Sequence, residues 1–328
     1  MIDTPLKFFL IILIAINIYI NIKDNKLNKN VLNISEEKII TIKSDKYKEL
    51  LKLYFDNRKQ FYAKGREYKT NKKYNETNVL TFQEKLNYLL IYESPEDKTN
   101  IVDKILLRNY SESVIGKDLC APIIKIYDDI DDINLDELPE KFVLKCNHGS
   151  GMNLFCANKS KFNLTNAKKI LREWMDVNYG LLMFEYQYLN VMKKVFVEQF
   201  LEDEIINYKF SCFNGEPKFI RVKGHINGTN LYNIYNINWT ISNIELDEKN
   251  YVLTDIFKKP INFEMMIHYA RLLSSKFCYC RVDFYEVKGI LYLSEITFTP
   301  FNSQFKFKTK EMAIYLGNLI NISKLTIN

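Results

Sequence analysis

Two stretches of alternating residues, each interrupted by a glycine-containing pair, limit most tightly what this chain can fold into. In the first, residues 208–213 and 217–222 flank Asn214-Gly215; in the second, residues 280–287 and 290–298 flank Lys288-Gly289. Asn-Gly between alternating runs is the strongest short hairpin signal, because both turn residues must take positive φ. Glycine is otherwise scarce, ten in 328 residues, roughly half the usual share of about 7%. Closely spaced glycines therefore mark a backbone requirement, and Gly149 and Gly151 form such a pair. With 47% hydrophobic and 14% aromatic residues, a disordered or collagen-like chain is excluded.

The hairpins sit in a body that begins near residue 79 and alternates helices with short strands, an α+β pattern. Residues 82–92 and 100–113 read as helices, and 142–145 as a strand entering the loop His148-Gly149-Ser150-Gly151. Residues 165–179 read as a helix closed by Gly180, and 194–200 as a strand. Ahead of this body, residues 8–22 (FFLIILIAINIYINI) are almost unbroken apolar sequence. Counted from Leu6, the run is near the lower limit for crossing a bilayer, roughly 17 residues. No small-residue cleavage site follows, which favours an uncleaved anchor over a removed signal peptide. Lys23, Lys26 and Lys29 outnumber Lys7, so the positive-inside bias places the body in the cytosol. Eight Asn-x-Ser/Thr sites, Asn75 and Asn227 among them, point instead to a lumenal body, but a chain with 35 Asn yields that many by chance. Residues 45–64 carry a 3.6 period ending at Gly65, and 66–78 read as a polar linker. The expected organisation is an anchor over 1–30, a helical stalk and linker over 31–78, and the main body over 79–328.

The formal charge of +6 does not indicate nucleic acid: only seven basic residues are Arg against 39 Lys, and no basic cluster with interleaved aromatics occurs. Cys120, Cys146, Cys156, Cys212, Cys278 and Cys280 show neither C-x-x-C nor zinc spacing, so they read as free thiols in a reducing compartment.

Three segments carry chemistry. If the second hairpin has a three-residue loop centred on Gly289, Asp283 faces Glu295 and Arg281 faces Thr297 on one side of the ladder. Two facing carboxylates repel unless a cation lies between them, and with the Thr297 oxygen they suit Mg²⁺; a solvated strand face with alternating charge is the plainer alternative. The strand ending at Lys145 and the loop after it offer a cation and free backbone N–H groups, as a polyphosphate needs, without the spacing of a Walker or Rossmann loop; a simple turn is the alternative. Residues 195–204 (VFVEQFLEDE) run from an apolar strand into an acidic cluster, whose edge can read adenine and ribose or be a solvated turn. Lys209, between Tyr208 and Phe210, needs an anionic partner if buried.

In this order the segments resemble the TupA-like branch of the ATP-grasp superfamily, associated with teichuronopeptide, capsular and other polysaccharide biosynthesis. The resemblance is carried by residues 81–85, 102–104, 138–151 (LPEKFVLKCNHGSG), 198–204, 207–219, 281–285 and 295–300 (EITFTP). It implies a two-lobed grasp fold holding ATP between antiparallel sheets. Lys145 and Lys209 would neutralise the phosphates and Arg281 would steady an acyl phosphate. His148, Gly149, Ser150 and Gly151 would form the loop over the phosphates; Glu198, Gln199 and Leu201 would frame adenine, with Glu204 at the ribose. Asp283, Glu295 and Thr297 would hold Mg²⁺. The implied activity is ATP- and Mg²⁺-dependent joining of a carboxylate to an amine through an acyl phosphate, on a surface polymer or its precursor. A glycosyltransferase of the same pathways is the alternative, although Asp128-Asp129 and Asp131-Asp132 fall in an acidic loop and not at a strand end. A membrane-tethered module that binds nucleotide without turnover is the third. The chain departs from the pattern where relatives have a glycine-rich loop after the Thr-Phe-Thr-Pro segment and this sequence has Phe301-Asn302-Ser303-Gln304. It departs again at Asn207, where they have Asp, and at Lys223-Gly224-His225, where they have an acidic-Arg segment.

Overall fold

A computed structural model describes residues 79–324 except 94–95, 203, 248–250 and 253, together with parts of 52–65. The expected anchor and most of the stalk lie outside the described residues, among which no helix is long and apolar enough to cross a membrane. The elements in chain order are α1 (Phe82–Tyr92), α2 (Glu96–Val102), α3 (Leu107–Ile115), β1 (Ile123–Tyr127), β2 (Phe142–Cys146), β3 (Asn153–Cys156), α4 (Leu164–Asp176), α5 (Tyr179–Met183), β4 (Val195–Gln199), β5 (Asn207–Phe213), β6 (Glu216–Ile226), β7 (Thr229–Asn236), α6 (Phe263–Ser274), β8 (Tyr279–Val287), β9 (Ile290–Thr297) and α7 (Lys310–Asn318). They form two antiparallel sheets, ordered β1-β4-β2-β3 and β7-β6-β5-β8-β9. The expected α+β class with antiparallel sheets is what the chain adopts.

The period-two pattern of the larger sheet splits its faces. Phe210, Cys212, Ile220, Val222, Val282, Phe284 and Ile296 point to one side, where Phe263, Met266, Ala270 and Leu273 of α6 cover them. The other side is apolar only at one end, where Phe213 and Tyr279 pack under Phe82 and Leu86 of α1 and Leu316 of α7. Its remaining length is polar and faces the smaller sheet. That smaller sheet buries Phe142, Leu144, Val195 and Val197 against Ala167 and Leu171 of α4.

Both hairpins turn where the sequence places them. Asn214 and Gly215 have φ of 51° and 87°, Lys288 and Gly289 of 52° and 76°, as two-residue primed turns require. The second loop differs from expectation in length: Val287 pairs with Ile290, so the turn has two residues and not three. Asp283 nevertheless pairs with Glu295 and Arg281 with Thr297, because the register shifts between Asp283 and Phe284 and leaves Ser294 as an extra residue on β9. A bulge restores the pairing that a longer loop had been expected to provide.

Two helical expectations need correction. The helix expected over 100–113 is broken at 103–106, where the Asp103 carboxylate accepts from the backbone N–H groups of Ile105 (2.8 Å) and Leu106 (3.3 Å) and opens the helix. The helix expected over 165–179 runs from Leu164 to Asp176, capped by the Asn163 side chain. Gly180 is not its terminator: it lies inside α5, where a Cβ would stand 2.6 Å from the Leu189 nitrogen. Of the segment 45–64, the described positions from 52 onward are mostly helical, and Phe61 is buried against Phe184 and Tyr186.

Helix α7 docks on the start of α1 through Gly317, where an added Cβ would lie 2.1 Å from the Leu80 carbonyl oxygen. Backbone cannot yield there as a side-chain tip can, so Gly317→Ala is expected to cost about 1–3 kcal/mol. Urea melts read this as a lower midpoint at unchanged slope.

Candidate active site

Residues directly opposite one another across a sheet share a face, and the pairing of the larger sheet builds two rows. One runs Arg221, Lys209, Asp283, Glu295 across β6, β5, β8 and β9; the next runs Phe219, Ser211, Arg281, Thr297. Asp283 is fully buried, so its charge needs partners. Arg281 supplies two bonds, Nε to Oδ1 at 2.6 Å and Nη2 to Oδ2 at 2.7 Å, and the Lys209 ammonium pairs with Oδ2. Nη2 of Arg281 also donates to Glu295 Oε1 at 2.9 Å and to the Thr297 hydroxyl at 3.2 Å. Lys209 Nζ stands 3.9 Å from Glu295 Oε1. The anionic partner expected for Lys209 is therefore Asp283, and the cations between the two carboxylates are Arg281 and Lys209. Burial alone would raise the Glu295 carboxyl, but Lys209, Arg281 and Lys104 outweigh it and hold the group well below the usual carboxylate range.

The smaller sheet presents a matching face. Val143 lies opposite both Glu198 and Phe155, and Lys145 opposite Phe196 and Asn153. Lys145 forms an ion pair with its diagonal neighbour Glu198. Gln199 closes β4, its N–H donating to the Pro122 carbonyl at 2.9 Å, and is exposed. Leu201 is half-buried and Glu204 exposed in the connection to β5. Glu202 in that connection reaches Lys288 at the tip of the second hairpin, 3.2 Å away. Leu293 N–H donates to the Leu119 carbonyl at 2.9 Å, joining β9 to the segment that leads into β1.

Between the sheets lies the loop after β2. Gly151 has φ of 78°, a region where a side chain is strained. Gly149 has room for no Cβ, which would fall 2.8 Å from the Tyr179 ring. Ser150 is half-buried. The His148 ring is turned away from the cleft into the interior, with Nε2 3.1 Å from the Trp174 carbonyl of α4, so it fixes the loop from behind. Asn147 adds an anchor: its Nδ2 donates to Asp103 at 2.8 Å and its Oδ1 accepts from the Lys194 N–H at 2.8 Å.

That Asp103 link places a residue to which sequence reasoning gave no role. Lys104, in the break between α2 and α3, donates its ammonium to the Gly149 carbonyl. Burial lowers its pKa, while the nearby Glu295 pulls the other way and Lys145 adds to the lowering. Three lysines, 104, 145 and 209, thus converge around Glu295 and Glu198. A signal was present: Lys104 stands within the apolar run Ile101-Val102 and Ile105-Leu106-Leu107, as Lys209 stands between Tyr208 and Phe210. Phe155 was also missed, because strand β3 was not read; its ring shares the cleft face with Glu198 and remains 66% exposed.

Among the described residues no cluster of three or more His, Cys, Asp and Glu is placed to hold a metal. The donor set fits a hard cation all the same. Oxygens of Asp283, Glu295 and Thr297 converge on one Arg281 nitrogen, and Mg²⁺ accepts one or two carboxylates when phosphate oxygens complete its shell.

Two antiparallel sheets enclosing a glycine loop, a lysine cluster and paired carboxylates define the ATP-grasp class. The chain belongs to the TupA-like ATP-grasp family, whose model matches residues 84–321. No curated protein matches the chain. Among solved structures it is similar to D-alanine–D-alanine ligase from Bacillus anthracis complexed with ATP, at 16% identity and TM-score 0.33, covering 60% of this chain and 53% of that one. It is similar to the D-alanine–D-alanine ligase of Helicobacter pylori at 15% identity and TM-score 0.39, covering 67% and 61%. A third is N5-carboxyaminoimidazole synthetase from Staphylococcus aureus, at 14% identity and TM-score 0.38, covering 66% and 52%. The chain thus spans between 52% and 61% of the length of these structures.

Burial holds the His148 pKa down at about 4, so folding keeps the ring neutral while the unfolded chain protonates near 6.5. Stability is complete above 6.5 and falls as pH drops toward 4, by up to about 3 kcal/mol. Urea melts at pH 7 and 4.5 should show this loss, and His148→Gln, whose amide can still donate to Trp174, should reduce it.

Proposed function

We propose that the protein is an ATP-dependent ligase that converts a carboxylate to an acyl phosphate and joins it to an amine, in the assembly of a cell-surface polysaccharide or related polymer. The observation that carries this reading is the four-strand row ending in Lys209, Asp283 and Glu295, set against Lys145, Lys104 and the glycine loop. ATP is the substrate that such a cleft suits, with Gln199 and Leu201 beside adenine, the exposed Phe155 ring against its face and Glu204 at the ribose. Lys145, held by Glu198, is positioned to exchange that partner for a phosphate oxygen. Lys104 and Lys209 bring further positive charge to the same point, and the N–H groups of 149–151 close over it.

Asp283, Glu295 and Thr297 would hold Mg²⁺, which when bound neutralises the charge that builds on the transferring phosphoryl group. Arg281, whose Nη2 now occupies the point where those oxygens converge, would yield them to the ion and steady the developing acyl phosphate. A carboxylate oxygen attacks the γ-phosphorus and ADP leaves. An amine then attacks the acyl carbon, inorganic phosphate departs, and the amine's proton is lost to solvent or a nearby base. The apolar run at residues 8–22 would tether this body to a membrane from its cytosolic side. In the acidic run Asp129 caps the Asp131 N–H at 2.8 Å and Asp131 pairs with Arg172, which favours the ligase reading over the glycosyltransferase one.

Lys145→Ala and Asp283→Asn are each expected to lower Mg·ATP-dependent ADP release by about 10²–10³-fold, the scale for losing one group that stabilises transition-state charge. Coupled ADP assays with candidate acids and amines measure it. Full turnover in both variants would refute the assignment.

A further inference from the structure

Arg281 has donor capacity that the ion cluster does not use. Its bonds to Asp283, Glu295 and Thr297 all run through Nε and Nη2, and a guanidinium carries five donors, so both N–H groups of Nη1 remain. The residue also lines a cavity of about 50 Å³ on the same face of the larger sheet, together with Ser211 and Arg221. Ser211 stands directly opposite Arg281. Among the described residues its hydroxyl has one partner, the Tyr279 hydroxyl at a long 3.4 Å. The rest of the lining is apolar and close-packed: the Phe82 ring meets Tyr279 and Phe305 edge-on at 5.0 and 5.3 Å. The space excludes an organic ring and suits a small ion or a few waters.

Arg221 brings a second guanidinium to that space. It lies opposite Lys209 and packs over the Tyr232 ring at 4.1 Å and the Phe301 ring at 4.5 Å. Phe301 reaches it through unusual backbone, since Phe301, Asn302 and Ser303 have φ of 52°, 53° and 57°, three successive side-chain-bearing residues in the left-handed region. Asn302 holds the turn, donating from Nδ2 to the Met183 carbonyl at 2.8 Å. Strain of this kind persists where the placement it enforces is used, and here it keeps Arg221 at the cavity wall.

The chemistry of the lining selects for charge. No residue of the lining is acidic, and its polar groups are two guanidiniums and one hydroxyl, all able to donate. Aromatic ring edges carry the positive end of the ring quadrupole, so they add to the same sign. A water here would turn its own hydrogens to apolar wall, whereas an anion takes charge-assisted bonds from both arginines.

We infer that this cavity binds one small monoanion, of the size of chloride or of a bare carboxylate head such as formate, held by Nη1 of Arg281, the Arg221 guanidinium and the Ser211 hydroxyl. The site rests on cavity chemistry alone. Its use rests on the ligase reading: the anion stays with Arg281 when Mg²⁺ takes Asp283 and Glu295.

Chloride NMR line widths of the full chain in neutral detergent, without nucleotide or Mg²⁺, test it. The broadening should saturate with chloride concentration. Bromide and formate should reverse it, and pivalate, too bulky for the cavity, should not. Ser211→Val, which fills the space without removing a charge, should weaken chloride roughly tenfold, with circular dichroism confirming the fold; Arg221→Met is read in the same way. Absence of saturable broadening in the natural protein overturns the inference, as does displacement by pivalate equal to that by formate, whether or not either variant folds. Undiminished broadening in a folded Ser211→Val protein assigns the chloride to surface lysines and overturns it too. Mg·ADP titrated separately into the natural protein decides the nucleotide reading, so the two failures are distinguishable.

Discussion

The organising constraint is the burial of Asp283. A carboxylate with no exposure in the middle of a sheet is tolerated only when cations and hydrogen bonds surround it, and the strands are arranged to provide them. Lys209 comes from the neighbouring strand at the directly opposite position and Arg281 from two residues earlier on the same strand. Glu295 and Thr297 then share Nη2 of Arg281. A slip of one residue in either ladder would turn one member of the cluster to the apolar face under α6, so core packing and ion pairing enforce the same register. The Ser294 bulge is where the two demands are reconciled.

The charges of the smaller lobe follow the same logic at lower burial. Lys145 is paired with Glu198, and Lys104 rests on the Gly149 carbonyl while sensing Glu295 across the cleft. On the proposed reading these contacts keep the lysines oriented between turnovers, and a polyphosphate exchanges with the carboxylates without any large rearrangement. His148 and the Asp103–Asn147 link hold the loop and the α2–α3 break in place from outside the cleft. They give rigidity to a site whose ligand-facing atoms are mostly backbone and lysine.

Much of the site was legible because strand alternation transmits position. Once the Lys288-Gly289 turn is placed, the facing of Asp283 and Glu295 follows to within one residue, and the buried setting of Lys209 announces its need for an anion. Lys104 was not legible in the same way: it lies where a helix was expected to run on, and the Asp103 side chain that breaks it competes locally with the helix's own hydrogen bonds. Phe155 was lost with its strand, four residues long and without a strong alternating pattern. The segment after Pro300 shows the reverse case. The sequence marked it as departing from relatives, and the structure shows side-chain-bearing residues adopting the left-handed backbone that glycine ordinarily supplies.

The sequence by itself determined the hairpins and the α+β class, because these depend on turn chemistry and period, and its ordered motifs carried the resemblance to the family. Tertiary structure decided which cation answers which carboxylate and that Lys104 joins the cluster. Those outcomes depend on distances between segments far apart in the chain, where a one-residue bulge or a broken helix changes which side chains meet and leaves little trace in the spacing of residues.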